Sequence, residues 1–210
     1  KLNIDAGAGS LEVIGVDGAT EIVVDAKILT TKDKTYLLTL DASGSTAELV
    51  AEHNTLHSGY WRGNSPRIDL VVRVPNSLLL DVDDGSGDIS INDMNNGITI
   101  DDGSGDLNIT NIKGDIEIED GSGSLSITDI DGNVTIDDGS DFLTVVNVTG
   151  DLDIEDGSGN IDVLNVTGTV KIDDGSGSIN VNTAGALFVI NSGSGGLDIT
   201  NVVGEVEIDD

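Results

Sequence analysis

The sequence predicts an all-β protein, a single-domain parallel β-solenoid with 18-residue coils, two short strands in each coil and a diverged N-terminal β cap. The first observation is a repeat: the phrase DDGSGD or a close variant begins at residues 83, 101, 119, 137, 155 and 173, and a weaker copy begins at 191. The second is composition, because 28 glycines and only 2% aromatic residues suit a thin core. The third is alternation of apolar and polar residues inside each unit.

Alternation with a period of two marks a strand with one buried face, as in Leu107-Asn108-Ile109 and Ile116-Glu117-Ile118. When the units are aligned, positions seven, nine, twelve, sixteen and eighteen are apolar almost throughout. A unit this short has no room for a helix beside two strands, so each unit is expected to form one coil that stacks on the next at about 4.8 Å.

Each coil needs two corners, and both carry an Asp or Asn followed three residues later by Gly. Asp102 with Gly105 and Asn111 with Gly114 are examples. This pattern predicts a side chain that accepts a backbone N–H while the Gly takes a positive φ. The acidic phrase therefore has a structural explanation, since every coil must turn the same corner.

The first 82 residues lack this regular period. Residues 2 to 18 resemble one diverged coil, and longer strands are expected at Glu21–Leu29, Tyr36–Leu40 and Arg67–Val74. We therefore divide one continuous domain into residues 1–82, a diverged first coil with an N-terminal β cap, and residues 83–210, seven regular coils. A cap would cover the strand edges at one end of the stack.

Charge and composition exclude several classes of function. The net charge of −30 disfavours nucleic acid and anionic membranes, which bind basic surfaces. No apolar run approaches the length of a membrane span, and the absence of cysteine leaves the compartment open. Because the chain opens directly on a strand-like segment, a targeting segment is expected to have been removed. The expected partners are cations or a protein or cell-surface component with a basic surface.

The first two positions of six units form a double column of carboxylates, which suggests a metal site. Neighbouring carboxylates at about 4.8 Å repel by about 0.9 kcal/mol even in water. Calcium ions between coils would relieve this repulsion, because Ca²⁺ prefers carboxylate and carbonyl oxygens. The favoured interpretation is a purely structural turn, and the calcium site is the alternative. The candidate calcium ligands are Asp83, Asp84, Asp101, Asp102, Glu119, Asp120, Asp137, Asp138, Glu155, Asp156, Asp173 and Asp174.

A second candidate site is one chemically varied segment that contains His53, His57, Tyr60, Trp61 and Arg62. The favoured interpretation is a loop that packs its aromatic residues over the solenoid end, and the alternatives are a surface-binding loop and a metal shared by the two histidines. No catalytic residue is expected and the protein is not predicted to be an enzyme, because Lys113 and Lys171 are the only basic residues in the repeat.

The segments LNIDAGAGSLEVIG and IDLVVRVPNSLLLDVDDGSGDISI, followed by repeated SGDLxI and GDIEI units, resemble the bacterial putative-adhesin family, a domain of unknown function. This resemblance implies an exported, periplasmic, cell-surface or extracellular β-solenoid without established catalytic residues. The expected function is a non-catalytic scaffold or adhesin-like interaction module that requires no cofactor. The alternative is a calcium-dependent surface- or carbohydrate-binding module that uses the stacked acidic corners.

The last unit suggests a further contact. It replaces the acidic pair by Asn191-Ser192, and its final strand-like segment, Glu205 to Ile208, has no coil after it. Unpaired strand edges template the binding of another chain. Self-association through the C-terminal coil, or pairing with further sequence, is therefore expected.

Overall fold

The computed structural model describes residues 1–30, 35–53 and 65–209, and every helix or strand in these ranges is a strand. Nearly all strand pairs are parallel, and the regular pairs join residues one repeat apart, such as Ile109 with Ile127 and Ile118 with Ile136. The predicted parallel β-solenoid is therefore confirmed. The strands are β1 (Leu2–Ala6), β2 (Leu11–Val16), β3 (Val23–Leu29), β4 (Tyr36–Ser43), β5 (Thr46–His53), β6 (Arg67–Pro75), β7 (Leu80–Asp84), β8 (Ile89–Asn92), β9 (Ile98–Asp102), β10 (Leu107–Lys113), β11 (Ile116–Asp120), β12 (Leu125–Asp131), β13 (Val134–Asp138), β14 (Asp141–Val148), β15 (Leu152–Asp156), β16 (Gly159–Asp174), β17 (Ile179–Asn191), β18 (Leu197–Val202) and β19 (Val206–Ile208).

The strands form two rows that enclose the core. The first row contains β7, β9, β11, β13 and β15, and the second contains β8, β10, β12 and β14. Strands β16 and β17 pass through a corner without a break and contribute to both rows. Coils are thus joined to their neighbours by backbone hydrogen bonds along both rows.

The apolar positions of the repeat point inward, as the alternation predicts. Ile100, Ile118, Ile136, Ile154 and Ile172 occupy position eighteen and are each at most 1% exposed. Their counterparts at positions seven and nine, such as Leu107 and Ile109, are equally buried and belong to the same cluster. A narrow core of Ile, Val and Leu needs no aromatic filling, which explains the unusual composition.

The N-terminal section stacks in an order that the sequence did not predict. The first coil, β1 and β2, lies between the coil formed by β5 and β6 and the first regular coil, β7 and β8. Strand β5 was not predicted, although the alternation in Ala47-Glu48-Leu49 and the preceding Ser43-Gly44 are typical of a hairpin strand. Antiparallel strands β4 and β3 pair with β5 and β6.

The two corners differ in the residue that takes the positive φ. At the first corner Gly105 and Gly123 have φ values of 144° and 142°, as predicted. At the second corner the prediction is right for Gly114 and wrong for Gly132, Gly150 and Gly168, which have no positive φ. There the Asp or Asn takes the positive φ, for example 60° at Asp129. Asn and Asp tolerate this conformation because their short side chains form local hydrogen bonds.

Candidate functional site: an inner and an outer acidic column

Positions one and two are neighbours on the same strand, so their side chains point to opposite sides of the first row. The inner column is buried, with exposures of 0–5%, and it consists of Asp84, Asp102, Asp120, Asp138, Asp156 and Asp174. The outer column is exposed apart from the half-buried Asp173, and it consists of Asp83, Asp101, Glu119, Asp137, Glu155 and Asp173. The structure therefore divides the twelve predicted ligands into two separate columns.

Five of the six inner carboxylates form a hydrogen bond within their own corner. In Asp102, Asp120 and Asp138, Oδ1 accepts the backbone N–H of the Ser two residues later at 3.1 Å. The same bond is 2.9 Å long in Asp156 and Asp174. The predicted turn chemistry is thus present. Oδ2 of all six residues, and Oδ1 of Asp84 as well, is buried without a hydrogen-bond partner.

Burial changes the acidity of the inner column. Loss of hydration raises the pKa of Asp102, Asp120 and Asp156 to about 6, and the hydrogen bond from the Ser N–H lowers it only in part. The same loss of hydration raises the pKa of Asp84 and Asp138 to about 7. These carboxyls therefore titrate close to neutral pH, far above the pKa of an ordinary Asp.

The outer column belongs to a wider acidic face on the first row. We define the acidic face as the outer column together with the outward residues of position seventeen, which are Asp81, Thr99, Glu117, Thr135, Asp153 and Lys171. Lys171 Nζ lies 2.9 Å and 3.0 Å from the two carboxylate oxygens of Asp153, one coil away. An ammonium group can thus bind between coils on this face.

Two shallow grooves run over the acidic face. One has a volume of about 460 Å³ and is lined in part by Thr99, Glu117 and Thr135. The other, of about 250 Å³, is lined by Thr99 and Glu117 together with carboxylates that include Asp101 and Glu119. Both grooves lie on strands of the first row, so carboxylates from neighbouring coils line a common surface.

The calcium hypothesis concerns the outer column, because the buried inner oxygens are closed to a hydrated ion. Within the described ranges, no three His, Cys, Asp or Glu side chains form a group that could hold a metal ion. Calcium binding stays a prediction. If Ca²⁺ bridges coils, calcium should raise the melting temperature above that in sodium at equal ionic strength, and Glu119→Gln with Asp137→Asn should reduce the difference. Identical melting curves in the two salts would refute it.

The histidine-containing segment is only partly described. His53 ends β5, where its ring lies 6.4 Å from that of Tyr36 in an edge-on arrangement, and its Nε2 is buried without a partner. His57, Tyr60, Trp61 and Arg62 lie outside the described residues, so the interpretations of this loop stay predictions.

The last coil exposes residues that are buried elsewhere in the stack. Val206 and Ile208 occupy positions sixteen and eighteen and are 45% and 44% exposed, whereas Val170 and Ile172 at the same positions are fully buried. Self-association through the C-terminal coil stays a prediction.

A pattern in the sequence separates the inner column from the outer column. Positions sixteen and eighteen point inward. Position two of the next unit lies two residues after position eighteen, so the same alternation makes it point inward as well. In β11, for example, Ile116, Ile118 and Asp120 all point inward. The alternation of inward and outward residues thus continues into the acidic phrase, and it predicts that the carboxylate at position two lies inside the corner.

Comparison with known proteins gives one family match. The family model described as Toastrack DUF4097 matches residues 29–209. No curated protein matches the chain. A crystal structure of a putative cell adhesion protein from Clostridium sporogenes ATCC 15579 is similar with a TM-score of 0.32 and 13% identity, over 99% of this chain and 90% of that chain. The described residues include no helix that is long and apolar enough to cross a membrane.

Proposed function

We propose that this chain, which belongs to the Toastrack DUF4097 family, is a non-catalytic interaction module of the cell envelope or cell exterior that presents its acidic face to a basic partner surface. Membership of this family, a domain of unknown function, confirms the family predicted from the sequence. The proposed partner is a protein or cell-surface component that carries exposed Lys or Arg side chains.

The observation that carries this proposal is the regular register of the acidic face. Glu119 pairs with Asp101 on one side and with Asp137 on the other, and this parallel register continues to Asp83 and Glu155. Carboxylates therefore recur at the spacing of the coils, about 4.8 Å. A rigid row of this kind can engage several cations at once, and such contacts add up without requiring a deep pocket.

The contact between Lys171 and Asp153 illustrates how the face would bind a partner's ammonium group. Both oxygens of Asp153 lie within hydrogen-bond distance of Lys171 Nζ, although both side chains remain partly exposed. One exposed ion pair contributes only about 0.2–1 kcal/mol, so useful affinity needs many pairs. The repetition of the acidic face supplies them.

The acidic face can be tested with poly-L-lysine as the basic probe. Replacing three central carboxylates, by Asp101→Asn, Glu119→Gln and Asp137→Asn, should weaken binding by about tenfold or more at constant ionic strength. Isothermal titration calorimetry measures the change. These side chains are exposed, so the fold should be retained, and circular dichroism checks this.

The matched control removes the same charge from elsewhere on the repeat. Asp88, Asp106 and Asp162 are exposed and lie outside the first row, and their replacement by Asn removes three charges in the same way. The control variant should bind poly-L-lysine much more tightly than the variant of the acidic face. Equal losses in the two variants would mean that net charge alone sets binding, and the proposal would be wrong.

A further inference from the structure

The inner column has a feature that the corner structure does not explain. A corner needs one carboxylate oxygen to accept the Ser N–H, and Oδ1 of Asp102, Asp120, Asp138, Asp156 and Asp174 does so. The second oxygen, Oδ2, is buried without a partner in all six residues of the column. A buried carboxylate oxygen without a partner is costly, and six of them in one stack require an explanation.

The space beside these oxygens limits what can satisfy them. The residues are 95% or more buried, and their Oδ2 atoms present essentially no surface to a water-sized sphere. A water molecule or a metal ion placed in contact would need such a surface. A proton needs no extra volume, since it resides on the oxygen itself.

We propose that the inner column is a proton-binding site, in which Asp84, Asp102, Asp120, Asp138, Asp156 and Asp174 take up protons on Oδ2 and so stabilise the stacked coils in mildly acidic conditions. Each uptake converts a buried carboxylate and a solvent proton into a neutral carboxylic acid, so no other reactant is needed. This inference concerns the interior of the solenoid and does not depend on the function proposed for its acidic face.

The surroundings of the column contain acidic groups that favour the protonated form. Loss of hydration is the largest cause of the raised pKa of Asp102. The negative charges of Asp120, Asp101 and Asp88 raise it further. Further along the stack, Asp106 acts on Asp120, and Asp141 acts on Asp138. At the two ends, Asp102 and Asp83 act on Asp84, and Asp173 acts on Asp174. Each charged group that acts on the column in the described residues is thus acidic.

The second corner of the coil, at position eleven, contains side-chain hydrogen-bond donors, which the inner column lacks. At position eleven, Asn165 Nδ2 donates to Asn147 Oδ1 at 2.9 Å, and Asn147 Nδ2 donates to Asp129 Oδ1 at 2.7 Å. Asparagine therefore supplies coil-to-coil hydrogen bonds there. Every member of the inner column is Asp, so a protonated carboxyl is the only side-chain group of the column that can donate.

The direction of the pH effect follows from these facts. Loss of hydration raises the pKa of the inner carboxyls to about 6 or 7 in five of the six residues, against an ordinary value of 3.8. The folded chain therefore binds more protons than the unfolded chain between about pH 4 and pH 7. Stability should rise as the pH falls through this window, and the ionised column should oppose folding above it.

The test compares two double variants on the same strands, β11 and β13. The inner variant carries Asp120→Asn and Asp138→Asn, and the outer variant carries Glu119→Gln and Asp137→Asn, so the charge removed is equal. For the unmodified protein we expect a melting temperature that is roughly 5 °C or more higher at about pH 5.5 than at about pH 8. The inner variant should melt higher than the unmodified protein at about pH 8 and show a smaller pH dependence. The outer variant should keep the pH dependence.

Carbon-13 NMR of the Asp side-chain carboxyls in the unmodified protein provides a direct measurement that does not rely on the variants folding. The carboxyls of Asp84, Asp102, Asp120, Asp138 and Asp156 should titrate with midpoints near pH 6 to 7, and the inner variant should lose two of these titrations. Inner carboxyls that remain ionised at about pH 5 would overturn the proposal. The proposal would also be wrong if the inner and outer variants showed an equally reduced pH dependence of the melting temperature. Repulsion among all the carboxylates would then explain that pH dependence.

Discussion

Replacing Ile136 by Asp should reduce the free energy of unfolding by about 4 kcal/mol or more. Ile136 is 1% exposed in the core and lies in register between Ile118 and Ile154 of the neighbouring coils. The substitution removes the burial of an aliphatic side chain, which contributes about 1.5–3 kcal/mol, and places a charge among apolar neighbours. Urea denaturation at about pH 8, followed by circular dichroism, measures the loss.

The control for this substitution is Thr135→Ser, one residue earlier on the same strand. Thr135 is exposed on the acidic face, so its loss of one methyl group should change stability by less than about 0.5 kcal/mol. Equal stability of the two variants would show that position eighteen does not face the core. Ile118→Asp should behave as Ile136→Asp does, since both residues occupy the same position in successive coils.

The regular coils were predictable because their information is local and repeated. Alternation at Ile116 and Ile118 shows which side chains face inward, and the constant repeat length fixes the register from coil to coil. The phrase DDGSG also predicted the corner, since an Asp followed by a Gly three residues later has few conformations that satisfy both residues.

The N-terminal stacking order was not predictable in the same way. Strand β1 pairs in parallel with both β5 and β7, and Ile4 lies between Leu49 and Val82. All three strands present similar apolar alternation, so the pattern cannot rank one partner or one order above another. The order depends on contacts between residues distant in sequence, for which composition and period contain no information.

The candidate site was predicted in its residues and only partly in its geometry. The twelve carboxylates were identified from their repetition, whereas the chemistry depends on which member of each pair is buried. Residue type alone does not distinguish the acidic residues Asp120 and Glu119. Asp120 is 5% exposed, whereas Glu119 is exposed on the acidic face. Burial separates a proton-binding column from a surface that can engage basic partners.

Replacing Gly123 by Ala should reduce the free energy of unfolding by about 3 kcal/mol or more, because it forces two coils apart. Gly123 has a φ of 142°, and an added Cβ would lie 1.7 Å from the carbonyl oxygen of Gly105 in the preceding coil. That oxygen belongs to the backbone and cannot move alone. The shift would disturb the hydrogen bond from Gly105 N to Ser122 O, which is 3.0 Å long. Urea denaturation followed by circular dichroism measures the loss.

Gly18→Ala is a control that separates the two causes of the expected loss of stability, the close contact between coils and the positive φ. Gly18 also has a positive φ, 68°, but an added Cβ there would meet no atom within 4 Å. Its replacement should therefore cost only the conformational penalty of about 1–2 kcal/mol. If Gly123→Ala cost no more than Gly18→Ala, the coils would tolerate a wider spacing at this corner. A clearly larger loss at Gly123 would mean that glycine recurs at position five because the backbones of successive coils leave no room for a side chain.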